Sequence, residues 1–344
     1  MIEIVEPKVK TINLGLQFLR FFLCLWIVII HCSEMKNSHK KYLNKGFHVP
    51  TFILISFYFY FRTISKRAIP KIISRFQRLF IPYVIWPLII FVVNHILFYF
   101  FKVRIVSYNL KMNDIYVQLL IGSRYHCIFW FQFNLIFLSL FFTIVSFIFQ
   151  KNFMNICKIL GALSFYLHIS GINQRFFYSF NPSYSINIGS IIELLPLAVV
   201  GLILGSKNLI YKIKINTSIF YFLMIFSIYI LFKYDIFVYK PGLRYPNILL
   251  NIFASILLFI AFCSIPFEKI EKGNLFKIIS KVTKYTGGIY YLHPRIRRIL
   301  QKIFIYFYKR RTYSNSILIY ITCYETCFFG EKIFINSKLK YLFI

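Results

Sequence analysis

Apolar runs of about twenty residues recur along the whole chain and are separated by short basic segments. A helix of that length spans the ~30 Å hydrocarbon core of a bilayer. An open strand edge in lipid would leave backbone groups without hydrogen-bond partners, so helices are expected throughout. The chain is therefore predicted to be an all-α polytopic membrane bundle of about ten transmembrane helices, at 14–32, 47–65, 79–101, 128–149, 157–171, 189–205, 215–232, 246–266, 283–307 and 314–330.

The composition agrees with a chain that is largely surrounded by lipid. Hydrophobic residues make up 59% of the sequence, charged residues 15%, and the mean hydropathy is +0.67. Soluble domains typically carry about 25% charged residues. No long polar segment interrupts the runs, so one membrane domain is expected over 14–330, with short tails at 1–13 and 331–344. The protein is expected to be an integral multi-pass membrane protein, although the sequence does not identify the membrane.

The net charge of +31 raises the question of a nucleic-acid partner. The basic residues are scattered through nearly every loop, a distribution that suits anionic lipid headgroups better than a nucleic acid. We therefore expect membrane lipids, and no nucleic acid, among the partners. Basic residues are divided almost evenly between the two sides of the predicted bundle, so charge leaves the orientation open. The oligomeric state is also open.

The seven cysteines lie mostly inside or at the ends of apolar runs, where they resemble small buried hydrophobic residues. Cys323 and Cys327 have a spacing that could hold a metal, but no histidine pair accompanies them. His126 and His168 also lack a partner pattern. We expect no metal cofactor and no disulfide framework.

Two ionisable residues interrupt the first run, Arg20 and His31. Such a residue costs roughly 2.5 to 3.5 kcal/mol on insertion scales and is therefore a candidate functional group. Eleven residues return to nearly the same helical face, about 16 Å further along the axis. One interpretation places both side chains on a stripe that faces the bundle interior. The alternative is an interfacial arginine that snorkels and a histidine that ends the span.

A second candidate is the arginine pair Arg75 and Arg78, in the densest basic stretch before the C-terminal third of the chain. Residues three apart share a helical face, so both guanidinium groups can converge on one anion. Arginine forks match phosphate oxygens, and a pocket at the membrane interface could hold the phosphates of a nucleotide-like donor. The alternative is a basic surface that contacts lipid headgroups.

Five short motifs follow one another along the chain. They are Arg20-x10-His31, Arg75-x-x-Arg78 before Ile81-Pro82-Tyr83, Phe129-Trp130-Phe131, Pro196 with Gly201 and Gly205, and Gly288 to His293. In this order they resemble the acyltransferase 3 family of membrane acyltransferases, over roughly residues 14 to 330. The chain departs from the family at Ser56-Phe57, where Ser-Gly is common.

This resemblance implies transfer of an acyl group, usually acetyl, from acyl-CoA to a hydroxyl of a glycan or lipid-linked acceptor. His31 would be the general base, although a transient acyl-histidine remains an alternative. Arg20 would orient a reacting group or stabilise negative charge on the thioester oxygen. Arg75 and Arg78 would bind the CoA phosphates.

Two further residues, His293 and Tyr290, would line the acceptor side, although a histidine before a proline at a helix bend is often structural. The rival function is a transporter or flippase of polysaccharide precursors. That function predicts paired interrupted spans in two related halves, which the sequence lacks.

Overall fold

The computed structural model describes residues 14–31, 48–101, 129–170, 185–206, 244–264, 274–308 and 316–344, with a few residues at 116–120 and 219–229. This part of the chain is helical and contains no strand, which confirms the all-α class. Helices α1 to α10 are Leu14–His31, His48–Ser65, Ile69–Phe101, Phe129–Ile148, Phe153–Ile169, Ser185–Ser206, Arg244–Ser264, Asn274–Lys284, Thr286–Tyr308 and Ser316–Ile333. Two short 3₁₀ helices are Gln150–Asn152 and Lys338–Leu342.

Each predicted span except 215–232 overlaps one of these helices. Most of 215–232 and the tail 1–13 lie outside the described residues, although 221–227 is helical. Two segments are long and apolar enough to cross a membrane, Ile69–Phe100 and Phe129–Ile148. Shorter apolar helices cover Gly15–His31, Ile191–Ser206 and Ile252–Cys263. Helicity is thus confirmed, while the number of crossings stays a prediction.

Helix α3 begins ten residues before the span that the sequence predicted at 79–101. Its 33 residues, Ile69–Phe101, extend about 50 Å, which exceeds the ~30 Å hydrocarbon thickness. Lysine and arginine lower the hydropathy of the first turns without disfavouring a helix, so hydropathy alone missed this start. Arg75 and Arg78 consequently lie on a helix that projects beyond its apolar part.

The predicted span 283–307 also differs, because its first residues belong to a separate amphipathic helix, α8. Helix α8 ends at Lys284, and a turn closed by Tyr285 N–H to the Val282 carbonyl, 3.0 Å, separates it from α9. Its buried face contains Ile279 and Val282. Three exposed lysines occupy its other face: Lys277, Lys281 and Lys284. A basic amphipathic helix of this kind suits a bilayer interface.

Helices α2 and α6 pack closely because α6 presents two glycines, Gly201 and Gly205, to α2. A Cβ on Gly201 would lie 2.6 Å from the Leu54 carbonyl oxygen, and one on Gly205 would lie 2.7 Å from that of Tyr58. Small residues four apart allow this approach of two helix backbones. The glycine motif of the sixth run therefore supports α2, which carries several residues of the site.

The segment 334–344, part of the predicted tail 331–344, packs against α3 and α10. The Trp86 indole N–H donates to the Leu342 carbonyl at 3.1 Å. The Phe343 ring lies against Gly330, where a Cβ would be 2.4 Å from the ring. This segment thus contributes to the core in which α3 and α9 meet.

Candidate functional site

Helices α1 and α9 run side by side in the same direction. The Arg20 Nη2 donates to the Thr286 hydroxyl at 2.9 Å, and the Arg297 guanidinium donates to the His31 carbonyl. Both pairs are separated by 266 residues, so the register between the helices is constant. The predicted stripe of α1 that carries Arg20 and His31 therefore faces α9.

The half-buried Arg20 guanidinium is held by a neutral hydroxyl. Thr286 donates its own proton to the Thr283 carbonyl at 3.1 Å, which leaves its oxygen to accept from Arg20. No carboxylate is hydrogen-bonded to Arg20 in the described residues, so its charge is not neutralised there. Arg78 is close enough for its positive charge to act on Arg20. Arg20 thus belongs to an electropositive interior.

His31 lies exposed at the end of α1, next to the buried His293 of α9. The ring centroids are 5.2 Å apart with an angle of 38° between the planes. His293 is 1% exposed, and its Nδ1 lies 3.2 Å from the Ile289 carbonyl oxygen. Because a carbonyl only accepts, Nδ1 carries the proton and Nε2 of the neutral ring is an acceptor. That Nε2 has no hydrogen-bond partner among the residues described.

The half-buried Tyr290 completes this group, with its ring centroid 6.1 Å from that of His293. It packs edge to face on Phe131 of α4 at 5.7 Å. Pro294 lies inside α9 and has no N–H, so it removes the helical hydrogen bond to the Tyr290 carbonyl. The sequence assigned Tyr290 and His293 to an acceptor side, and the structure brings both into the neighbourhood of His31.

Arg75 occupies a different cluster, where its guanidinium is fixed by neutral groups from α2 and α4. Its Nε donates to the Ser139 hydroxyl at 3.1 Å and its Nη2 to the Ser56 hydroxyl at 2.8 Å. The guanidinium carbon lies 4.1 Å from the centroid of the Tyr60 ring, a cation–π contact. The sequence did not lead us to these three partners. Hydroxyl side chains inside apolar runs were the signal that could have indicated them.

A cavity of about 320 Å³ opens beside Arg75, between α2 and the first turns of α3. Among the residues that the structure describes, three cations and no carboxylate line it. Arg78 is exposed there, and its Nε donates to the Ser74 carbonyl at 3.3 Å. Arg75 and Arg78 therefore line one cavity, as the spacing predicted. The lining residues are Phe59, Tyr60, Thr63, Pro70, Lys71, Ser74, Arg75 and Arg78.

A family model described as an acyltransferase domain matches residues 13–324, which includes both clusters. The chain belongs to the acyltransferase 3 family. This match confirms the resemblance seen in the motifs and identifies the protein as an acyltransferase. No curated protein and no solved structure matches the chain significantly.

Helix α4 connects the two clusters of this acyltransferase. Its Ser139 accepts from Arg75, and its Phe131 packs on Tyr290 beside His293. Eight residues separate Phe131 from Ser139, about 12 Å along the helix axis. Arg75 and Tyr290 therefore contact α4 at two separate levels, one beside the cationic cavity and the other beside the histidine pair.

Proposed function

We propose that this acyltransferase 3 protein is a multi-pass integral membrane enzyme of about ten transmembrane helices. It transfers an acyl group, which we take to be acetyl, from acyl-CoA to a hydroxyl of a glycan or lipid-linked acceptor. The observation that carries this proposal is a cavity that, among the described residues, three cations and no carboxylate line. Its Arg75 is bonded to Ser139 of α4, about 12 Å along that helix from Phe131, which packs on Tyr290 beside the histidine pair. Such a distance suits a donor whose phosphates and reactive group are at opposite ends.

Arg75 and Arg78 bind the CoA phosphates in this proposal. Both line the cavity, and neither is hydrogen-bonded to a carboxylate in the described part of the chain. Neutral partners hold Arg75 in position while leaving its charge for the ligand. A charge-assisted bond from arginine to phosphate is about twice as strong as a neutral hydrogen bond.

His31 is the general base that activates the acceptor hydroxyl. It removes the hydroxyl proton while the oxygen attacks the thioester carbonyl carbon, so a C–O bond forms and the C–S bond breaks. The proton then passes to the departing CoA thiolate, which leaves as the thiol. A route through acyl-histidine would use the same ring as nucleophile. The exposed position of His31 at the end of α1 suits a large acceptor that approaches from outside the bundle.

Arg20 orients the donor between the cavity and His31. Its partner Thr286 lies seven residues from His293 on α9, about 10 Å along the axis. That separation favours a role on the CoA arm over direct contact with the oxyanion beside His31. His293 and Tyr290 line the acceptor side, where the free Nε2 of His293 can accept a proton from the His31 ring or from a hydroxyl.

The test is transfer of radiolabelled acetyl groups from acetyl-CoA by purified protein in vesicles that contain candidate acceptors. His31→Ala should lower the rate of transfer by at least ~100-fold, because the general base is lost. Binding of CoA, measured by calorimetry, should stay unchanged. His95→Ala is a matched control, because His95 is exposed on α3 and contacts Phe91 instead of the site.

Full transfer by His31→Ala would refute the catalytic assignment. If the wild-type protein transfers no label and binds no CoA, a transporter of polysaccharide precursors becomes the better explanation.

A further inference from the structure

A third cation, Lys71, shares the cavity with the arginine pair. Lys71, Arg75 and Arg78 are spaced by four and three residues, so all three lie on one face of α3. They extend over about 10 Å of the helix axis. Arg62, Lys66 and Arg67, which belong to the same basic stretch, are not among the lining residues. Three of the six basic residues in this stretch therefore line the cavity.

Lys71 is exposed and makes no hydrogen bond or ion pair with any residue that the structure describes. It lies in the first turn of α3, a helix whose first turn contains no acidic residue. The positive end of the helix dipole disfavours a lysine in the first turn and favours an anion there. An anion bound at Lys71 would relieve this repulsion.

The wall opposite these cations contains an aromatic ring, Phe59 of α2, with 42% of its surface exposed. Thr63 and Ser74 add hydroxyl groups to the lining. An exposed aromatic face stacks on a nucleic-acid base with roughly 1 to 3 kcal/mol, whatever the base. The cavity therefore combines phosphate-binding cations with a surface for a base.

Because Arg75 is enclosed by α2 and α4, the position of Lys71 one turn earlier lies further out along α3. In CoA the 3′-phosphate is further from the thioester than the pyrophosphate is. On the basis of the proposed function, we propose that the cavity recognises the phosphoadenosine end of CoA. Lys71 binds the 3′-phosphate, and Phe59 lies beside the adenine.

This arrangement makes free acyl-CoA the donor and disfavours an acyl group on a carrier protein. The phosphopantetheine arm of a carrier protein has a single phosphate and no adenine. Such a donor would leave Lys71 and Phe59 without a ligand group.

The experiment compares acetyl-CoA with acetyl-dephospho-CoA, which lacks only the 3′-phosphate, for the wild type, Lys71→Gln and Lys66→Gln. Lys71→Gln should raise the KM for acetyl-CoA by about tenfold, the loss expected for one charged contact. It should leave the KM for acetyl-dephospho-CoA unchanged. Lys66→Gln removes the same charge outside the cavity and should leave both KM values within about twofold of the wild type.

An equal effect of Lys71→Gln on both donors, or a wild type that does not distinguish them, would overturn this inference. Dissociation constants for CoA and dephospho-CoA test it independently of turnover. Loss of the difference between these two ligands in Lys71→Gln supports the role of Lys71 even in protein that transfers no acetyl group. Absent transfer with intact selectivity for CoA would instead count against the proposed function alone.

Discussion

The Arg75 cavity and the His31 end of α1 are built in different ways. The Arg75 guanidinium is fixed by hydroxyls of Ser56 and Ser139 and by the ring of Tyr60. His31 is exposed, and its ring faces a buried imidazole whose Nε2 is unpaired among the described residues. Protein groups hold the cation of the first region in place, whereas the second region presents groups that can still exchange a proton.

This difference suits the roles that we propose for the two regions. A cation that binds phosphate needs a fixed position and an intact charge, and neutral hydrogen-bond partners provide both. A general base needs an open lone pair and a neighbour that controls its orientation. Mutations in the two regions should therefore separate into effects on donor affinity and effects on turnover.

The largest separation is expected for Arg75→Ala. Removal of this guanidinium should raise the KM for acetyl-CoA by roughly 100-fold, because a partly buried charged contact is lost, while kcat changes by less than about threefold. Arg75→Lys should recover only part of the loss, since an ammonium cannot reach both Ser56 and Ser139. Steady-state kinetics in vesicles measure both values, with Arg62→Ala as the control outside the cavity lining. A fall in kcat with unchanged KM would erase the distinction between the regions.

A smaller effect of the opposite kind is expected for His293→Ala. Loss of the buried imidazole should lower kcat by about tenfold, as expected for a residue that only orients the base, with the KM for acetyl-CoA unchanged. The pH profile of kcat should shift, because the neighbour of His31 changes. His293→Gln keeps an acceptor and should restore part of the rate. If the KM for acetyl-CoA rises instead, His293 belongs to the donor site.

The smallest effect concerns stability at the junction of α8 with α10. Lys284 and Tyr285 each donate to the Glu331 carboxylate at 2.7 Å. Burial alone would raise the pKa of Glu331, but these hydrogen bonds and the lysine charge lower it overall. A lowered pKa stabilises the fold above about pH 5, and this contribution disappears as the pH falls through that pKa.

Glu331→Gln should therefore lower the free energy of unfolding by about 1 kcal/mol at pH 7, a modest value because Lys284 is half exposed. The difference from the wild type should shrink as the pH falls below the ordinary glutamate pKa of about 4.3, and it should disappear below the lowered pKa of Glu331. Denaturation midpoints at several pH values in detergent measure it. A difference that does not depend on pH would indicate a packing defect. Both KM and kcat should be retained, since neither region of the site includes Glu331.

Much of the fold and the outline of the site could be predicted from the sequence. Hydrophobic runs located the helices, and helical periodicity placed Arg20 with His31 and Arg75 with Arg78. Hydropathy could not find the start of α3 at Ile69, because charged residues continue a helix beyond the membrane core. The hydroxyl partners of Arg75 come from helices distant in sequence, so only the packing reveals them. The same holds for the contact between His31 and His293.

Because the offset between α1 and α9 is constant, the spacing between two residues of α1 must equal the spacing between their partners on α9. Eleven residues separate Arg20 from His31, and eleven also separate Thr286 from Arg297, the residues that hold them. One residue inserted between the two paired positions of either helix would rotate the following side chains by about 100°. One of the two hydrogen bonds between the helices would then be broken. A change of length is tolerable only when both helices change together, which gives a mechanical reason for the ten residues between the arginine and the histidine.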